Sequence, residues 1–333
     1  MKSIFLCKKA STVDRVYSDA TKARINALAP LDTHVYTKED IMANPGAVKD
    51  TEFIFSTWGM TAFTEDEIKA VFPSLKCVFY SAGTVQSFAR PFINCGVKVY
   101  SAWAANAVPV AEFTVAQIIL ANKGYFSHAR LLGKKDFQKS DTLKELCIGN
   151  YGERIGLVGC GMIGSLVAKM LLKHDLSVCV YDPFLSDERA SELGVKKVSL
   201  KELFTACRVV SNHLPNKPST VGMLNYELFE AMFPFATFIN TGRGAQVVES
   251  DLARVLAERT DLTALLDVTD PEPCKPDNPF YSLPNCFMSP HIAGSLGSEL
   301  YRMSEYMIKE LEAYLSGDRC KYEVTEKMLE TMA

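Results

Sequence analysis

The sequence has no run approaching the roughly 18 consecutive apolar residues that a membrane-spanning helix needs, so no membrane partner is expected. Its opening, MKSIFLCKKASTVDR, holds only a short apolar stretch broken by Lys8 and Lys9. A secretory signal needs a longer apolar region and a small-residue cleavage site, so export is not expected and the cytoplasm is the expected compartment. Ten cysteines are present but no C-x-x-C pair. Scattered thiols such as Cys7, Cys77, Cys160, Cys207 and Cys286 read as small buried hydrophobes, with neither a disulfide framework nor a metal site expected. An excess of one charge is also lacking. Thirty-six Lys and Arg stand against 39 Asp and Glu, a net charge of −3, which excludes a general electrostatic grip on nucleic acid. There is no internal repeat and no low-complexity segment.

What is present is an α/β rhythm. At 333 residues the chain exceeds one ordinary core, and two domains are expected. In the first hundred residues Ser3–Leu6, Phe53–Ser56, Cys77–Tyr80 and 97–100 read as buried parallel strands. Segments 12–28 and 65–72 have helical spacing, and Thr64 with Glu67 fits a capping box before the second. Residues 109–132 then read as one long helix with Pro109 in its first turn, apolar on nearly all sides and hence buried between domains. A polar stretch, 134–152, leads to a strand.

From Arg154 strands and helices alternate: strands at 155–158, Ser177–Tyr181, Val209–Asn212, Thr237–Asn240, 262–267 and Cys286–Met288, with a helix over 164–172. Such alternation implies a doubly wound parallel sheet. A last amphipathic helix, 298–315, is expected to pack back on the first domain and make it discontinuous in sequence.

The first strand of this second half, RIGLV, runs directly into Gly159-Cys-Gly161-Met-Ile-Gly164 and the helix SLVAKMLL. A lone G-x-G-x-x-G is weak, but between strand and helix it reads as a dinucleotide fingerprint. Gly159 serves the tight turn, Gly161 lets backbone approach a pyrophosphate, and Gly164 lets helix and strand pack closely. The N–H groups of Met162 and Ile163 would meet the phosphates at the positive helix end. Asp182, after the strand SVCVY, stands where a carboxylate accepts hydrogen bonds from the adenosine ribose. It could instead cap the turn DPFLSD. No Arg follows to greet a 2′-phosphate, so NAD is favoured over NADP.

Three further motifs each follow a predicted strand: NTGRG with Arg243, LDVTDPEP with Glu272, and SPHIAG with His291. In an open α/β sheet, ligands sit at the carboxyl ends of strands, so all three can face one crevice. Singly, Arg243 could be a surface cation, Glu272 a solvated loop acid and His291 a core histidine. Together they meet the needs of keto-acid reduction. Arginine's planar fork grips a carboxylate, imidazole exchanges a proton near neutral pH, and a carboxylate beside an imidazole favours its charged form. Reduced NAD would supply the hydride.

With these motifs in order the chain resembles the D-isomer-specific 2-hydroxyacid dehydrogenases, the family of D-lactate and 3-phosphoglycerate dehydrogenases and glyoxylate/hydroxypyruvate reductases. The resemblance runs over essentially the whole chain and rests on GCGMIG, NTGRGAQVVESDL, ALLDVTDPEP and SPHIAG. It implies a Rossmann NAD-binding domain, 105–295, inserted in a smaller flavodoxin-like substrate domain, 1–104 and 296–333, both doubly wound parallel sheets. It implies that Arg243 binds the substrate carboxylate, His291 is the acid/base and Glu272 its partner. Glu rather than Gln at position 272 disfavours the related formate dehydrogenases. The resemblance gives Asp267 to the nicotinamide carboxamide, and gives cofactor contacts to Thr241, Gly242, Arg243, His291 and Gly294. It extends them to the loop SNHLPN with His213, Leu214 and Pro215, and to Thr220. For His213 a structural role stands beside direct cofactor contact.

The segment NAVPVAE, opening the helix between domains, places Asn106 among the substrate contacts. Ser81-Ala82-Gly83-Thr84 looks like the loop whose N–H groups meet the carboxylate, although Ser81 replaces a family glycine and Val85 a family acid. Trp58-Gly59-Met60 follows the strand EFIFS; Trp58 and Met60 would wall the pocket and favour compact substrates, unless Trp58 is simply core. The region 123–152 matches the family's dimer arm, so a homodimer is expected. The chain stops soon after its last helix, and no C-terminal regulatory domain is expected. The family also holds NAD(H)-binding corepressors and phosphite dehydrogenases, which are the alternatives to a 2-hydroxy/2-keto acid enzyme.

Overall fold

A computed structural model describes residues 2–147 and 149–331. Met1, Met332 and Ala333, at the ends of the expected domain segments, and Ile148, in the expected polar stretch, lie outside the described residues. The chain divides into two compact units, Met1–Asn106 with Ser295–Ala333, and Ala107–Gly294.

The first unit is built on five parallel strands: β1 (Ser3–Leu6), β2 (Leu31–Tyr36), β3 (Phe53–Ser56), β4 (Cys77–Tyr80) and β5 (Lys98–Ser101), in the order β2-β1-β3-β4-β5. This is the flavodoxin-like order. Strands β1, β3 and β4 are buried along their whole length, which is why they read as unbroken apolar runs. Strand β2, LDTHVY, escapes that criterion because it is an edge strand with Thr33 and His34 exposed. The single helix expected over 12–28 is two, Ala10–Val16 and Asp19–Leu28. Ser18 starts the second by accepting a hydrogen bond from the Thr21 N–H (3.2 Å), so the chain turns there. The capping box of Thr64 and Glu67 is present before Glu65–Val71. The helix Glu299–Ser316 buries Leu300, Met303, Met307, Ile308 and Leu311 against Phe5, Tyr17 and Phe55 of this unit.

The second unit has seven parallel strands: β6 (Arg154–Val158), β7 (Ser177–Tyr181), β8 (Lys196–Lys197), β9 (Val209–Asn212), β10 (Thr237–Asn240), β11 (Thr263–Leu266) and β12 (Cys286–Met288). Their order is β12-β11-β10-β9-β6-β7-β8. The chain moves outward from β6 through β7 to β8, then returns to β9 beside β6 and continues the other way. The register runs from Ile155 opposite Val209 to Val158 opposite Asn212. The carboxyl ends of β6 and β9 therefore flank the reversal point where such sheets bind nucleotides.

Two expectations are corrected. The helix expected over 109–132 begins earlier, as Trp103–Asn122, with Pro109 inside it, where the ring removes one backbone donor. It ends because Gly124 adopts a left-handed conformation (φ 65°), and Tyr125–Gly133 follows as a separate helix. The polar stretch 134–152 contains a helix, Phe137–Leu146, started by Asp136 accepting from the Lys139 N–H (3.2 Å). By length and composition alone Trp103–Asn122 could cross a membrane, although Asn106, Glu112, Thr114 and Gln117 interrupt its apolar run. Its Ala111 and Ile118 lie instead in a cluster with Ile155, Val178 and Val209 of the second unit.

Candidate nucleotide and active site

Within the second unit the glycine loop follows β6 directly. Gly159 has φ 96°, and a Cβ there would lie 2.8 Å from the His213 carbonyl oxygen, so the turn after β6 and the loop after β9 touch through bare backbone. A Cβ on Gly164 would lie 2.2 Å from the Gly159 oxygen, which forces a glycine at that packing point. Gly161 faces open space on that test, and it precedes Met162–Leu171, whose first turn has no side-chain cap. The unused N–H groups at this helix end suit a pyrophosphate.

Asp182 caps the turn, one of the two roles the sequence left open, and also holds the glycine loop. Its Oδ1 accepts from the Phe184 N–H (2.8 Å), capping the turn, and its Oδ2 accepts from the Cys160 N–H (2.8 Å), holding the glycine loop. Each oxygen keeps a further lone pair for a ribose hydroxyl. Together, the open face at Gly161 and the half-buried carboxylate fit an adenine dinucleotide.

His213, at the end of β9, donates its backbone N–H to Val158 (2.8 Å), and its Nε2 pairs with Ser211 Oγ (3.0 Å). Burial pushes its imidazole down to about 4, so the ring is neutral, and its Nδ1 is buried with no hydrogen-bond partner. Leu214 and Thr220 are buried. The Thr220 hydroxyl donates to the Pro215 carbonyl (2.7 Å), closing the loop on itself.

The loop after β10 carries Thr241, Gly242 and Arg243. Thr241 is buried, its hydroxyl 3.2 Å from that of Thr114. Arg243 folds back so that Nη1 donates to the Gly242 carbonyl (2.7 Å), and among the described residues no carboxylate lies within ion-pair distance of it. Gly244 abuts the next loop: a Cβ there would fall 2.1 Å from the Thr269 carbonyl carbon. The Arg243 loop and the Glu272 loop are thus pressed together by a residue that the sequence reading treated only as part of the motif.

His291 and Glu272 meet: Nδ1 of the imidazole is hydrogen-bonded to Oε1 of the carboxylate, with both side chains partly open to solvent (43% and 40%). The Nε2 atom has no protein partner among the described residues. His291 sits in the left-handed region (φ 53°), a conformation that costs a non-glycine residue of order 1 kcal/mol and needs support. Asp267 supplies that support. Its carbonyl accepts the His291 N–H (2.9 Å), its Oδ1 accepts from Ser289 Oγ (2.6 Å) and the Ile292 N–H (2.9 Å), and its Oδ2 accepts from the Ala293 N–H (2.9 Å). The residue that the family resemblance gives to the nicotinamide is, in this chain, also the organiser of the histidine loop. Gly294, the last residue of SPHIAG, is half-buried.

In the first unit the loop after β4 holds Ala82 buried and Gly83 half-buried. Ser101 Oγ donates to the carbonyls of Ala82 (2.8 Å) and Gly83 (2.6 Å), while the N–H groups of Ala82, Gly83 and Thr84 bond to no protein acceptor among the described residues. Asn106 stands beside this loop, its Nδ2 3.9 Å from where a Gly83 Cβ would be, and its Oδ1 accepts from the Ser295 N–H (3.0 Å). Val85 is buried in the apolar core with Phe88 and Phe92. Trp58 is 42% exposed and is not core. Met60, expected beside it on the pocket wall, turns inward and is only 8% exposed, because its turn (Met60 N–H to the Thr57 carbonyl, 3.0 Å) aims it at Phe63 and Ile68.

The sequence reading missed the buried amides Asn212, Asn240 and Gln246 and the loop anchor Glu249. The one signal for Asn212 and Asn240 was polarity at the ends of otherwise apolar strands, whereas Gln246 and Glu249 lie beyond the strand and carried none.

A model of the NAD-binding domain of D-isomer-specific 2-hydroxyacid dehydrogenases matches residues 115–293. A D-3-phosphoglycerate dehydrogenase of Archaeoglobus fulgidus is 32% identical over 200 residues, covering 60% of this chain and 37% of that protein. A glyoxylate reductase of Korarchaeum cryptofilum is 28% identical over 273 residues, covering 81% of this chain and 82% of that protein. The chain spans only about two fifths (37% and 42%) of the first phosphoglycerate dehydrogenases it matches. In fold it is similar to the apo D-mandelate dehydrogenase of Rhodotorula graminis, with a TM-score of 0.81 at 18% identity over 98% of each chain.

Proposed function

The chain belongs to the D-isomer-specific 2-hydroxyacid dehydrogenases, with NAD as its cofactor, and from that premise we propose that it interconverts a small D-2-hydroxy acid and its 2-keto acid. The observation that carries this reading is the His291–Glu272 pair on a loop held by Asp267, with Nε2 meeting no protein partner among the described residues. In the reducing direction, His291 Nε2 gives its proton to the carbonyl oxygen of the substrate. Glu272, against Nδ1, fixes the ring and balances its positive charge. Arg243, with no acidic partner among the described residues, takes the substrate carboxylate in its planar fork. The bound nicotinamide supplies or accepts the hydride. Asp182, the glycine loop and the helix end at Met162 hold the dinucleotide, and Asp182 favours NAD over NADP. The first unit serves as substrate domain, with the unused N–H groups of the loop 82–84 suited to a carboxylate and Trp58 limiting substrate size.

We place the enzyme in the cytoplasm as a homodimer. The helices Tyr125–Gly133 and Phe137–Leu146 and the residues after them leave Tyr125, Leu132, Phe137, Leu146 and Tyr151 exposed, more apolar surface than a lone arm needs. Light scattering on the purified protein reads the mass directly, and a monomer would remove the dimer assignment.

The decisive experiment is a panel of 2-keto acids, from glyoxylate and hydroxypyruvate to branched and aromatic examples, with NADH and NADPH in parallel. Turnover with NADH and a compact keto acid is expected. Tight NADH binding without turnover of any keto acid would favour a regulatory NAD(H)-binding protein, and phosphite-dependent NADH formation would assign phosphite oxidation.

A further inference from the structure

Gln246 is wholly buried and joins two loops that approach the site from different strands. Its Nε2 donates to the carbonyls of Leu214 (2.7 Å) and Pro215 (2.9 Å), in the loop after β9 that touches Gly159. Its Oε1 accepts from the backbone N–H of Arg243 (3.2 Å), in the loop after β10, and from Asn212 Nδ2 (2.6 Å). Two more amides complete the cluster. Asn212 Nδ2 also donates to Asn240 Oδ1 (3.0 Å), and Asn212 Oδ1 accepts from the Leu214 N–H (3.2 Å). Asn240 Oδ1 accepts from the Gly242 N–H (3.0 Å), and its Nδ2 donates to the Arg243 carbonyl (3.1 Å). Every amide oxygen and nitrogen of the three side chains is used.

Buried polar clusters that are fully satisfied specify one arrangement of the backbone, and a partly satisfied one loses it. The arrangement here requires an amide at position 246. Two carbonyls need a donor at one end of the side chain, and one N–H with one amide nitrogen needs an acceptor at the other. A carboxylate offers no donor, and an apolar side chain of the same length offers neither.

We propose that Gln246 is a positioning residue that couples the cofactor-side loop 213–215 to the Arg243 loop, so that affinity for NADH and the grip on a substrate carboxylate rise and fall together. The proposal rests on the reading of Arg243 as the carboxylate clamp. Neither ligand touches Gln246; both are reached through the backbone it holds.

The test measures binding without turnover. NADH affinity is read by fluorescence titration, and oxamate, an unreactive keto-acid analogue, is then titrated into the NADH complex. Gln246→Met is expected to weaken both by about tenfold or more, as loss of an indirect positioning contact does. Gln246→Asn, which keeps the amide but draws it back by one methylene, falls between and serves if the methionine variant gives no cooperative melt. A lowered melting temperature with both affinities within twofold of the unaltered protein would make Gln246 a packing residue and overturn the coupling. Loss of one affinity alone would overturn it too. Failure of oxamate to bind the unaltered NADH complex sinks the Arg243 reading itself, and is seen before any variant is made. If oxamate binds and both constants shift but no keto acid is reduced, the coupling stands and the proposed reaction falls.

Discussion

Glu249 Oε1 accepts a hydrogen bond from the backbone N–H of Asp270 at 2.8 Å, tying the start of the helix Glu249–Glu258 to the loop that carries Glu272. Its Oε2 accepts from Asn278 Nδ2 at 3.0 Å, further along the same loop. Burial pushes this carboxyl above its ordinary range, against the pull of those two hydrogen bonds. The helix it opens follows the Arg243 loop directly, so both proposed substrate-side loops are referred to one helix end. The helix dipole there favours a carboxylate.

Removing that anchor should be felt at Glu272. Glu249→Ala leaves the Asp270 N–H and the Asn278 amide without their acceptor, and the loop loses its fixed position. Misplacement by about an ångström can cost roughly a hundredfold in rate, and a loosened loop is expected to cost about ten- to a hundredfold in kcat. NADH affinity should stay within twofold, because the glycine loop and Asp182 are untouched. Steady-state kinetics beside NADH titration separates the two; an unchanged kcat would detach Glu272 from this anchor.

The three proposed catalytic groups give a different pattern. His291→Ala removes the proton donor, a loss of typically 10²- to 10⁴-fold in kcat. Arg243→Ala should raise KM for the keto acid and lower kcat as well, since the carboxylate then holds no fixed position. Glu272→Gln keeps an oxygen for Nδ1 but removes the charge, and should lower kcat with NADH binding intact. Near-normal rates in the first two variants would remove the mechanism.

How much of this was legible in the sequence depended on which force shaped each segment. Val209–Asn212 and Thr237–Asn240 were read at their observed bounds, because strands buried along their whole length are continuous apolar runs closed by polar residues. Strand β2 was invisible, since an edge strand with Thr33 and His34 in solvent carries no such run. The helix after Trp103 was started too late because Pro109 was taken as a first-turn residue, whereas packing of Ala111 and Ile118 holds the helix through it. At the site, the motif residues fell on strand-end loops as the pattern required. Gln246 and Glu249 did not stand out, because a glutamine in an apolar run and an acid at a helix start have ordinary explanations. Only the distances to Arg243 and Asp270 single them out.

His213 gives the protein an acid-sensitive element. Its imidazole is pushed by burial from an ordinary 6.5 down to about 4. The unfolded chain therefore takes up a proton below about pH 6.5 that the folded chain refuses until about pH 4. Stability from this residue is complete above pH 6.5 and is lost as pH falls through that window, by at most about 3 kcal/mol. His213→Gln, which does not titrate, should show a smaller loss between pH 7 and pH 4.5 in urea melts. Equal losses in the two proteins would place the acid sensitivity elsewhere.

Asp182 should set cofactor choice. A 2′-phosphate would face its carboxylate and forfeit the ribose hydrogen bonds, so the unaltered protein is expected to prefer NADH strongly. Asp182→Ala should narrow that preference and also weaken NADH itself, because the Cys160 N–H loses its acceptor (2.8 Å) and the glycine loop slackens. Comparable kcat/KM for NADH and NADPH in the unaltered protein would leave Asp182 as a turn residue only.

Trp58 offers the test of substrate size. Its side chain is 42% exposed while its loop is fixed without it: the Cys7 thiol donates to the Trp58 carbonyl (3.3 Å), the Lys8 N–H to the Gly59 carbonyl (3.0 Å) and the Met60 N–H to the Thr57 carbonyl (3.0 Å). Met60 anchors the same turn from below by packing into the core. Truncating the indole therefore removes surface rather than core, and Trp58→Ala should change stability by no more than about 0.5 kcal/mol, as surface substitutions do. If the indole walls the substrate pocket, its loss opens room there. Pocket contacts of this kind discriminate by roughly 1–3 kcal/mol per methylene, so kcat/KM should shift toward branched or aromatic keto acids by about ten- to a hundredfold relative to glyoxylate. Competition assays with paired keto acids measure that ratio directly. An unchanged ratio in a stable variant would take Trp58 out of the pocket and leave substrate size to the loop 82–84 and Asn106.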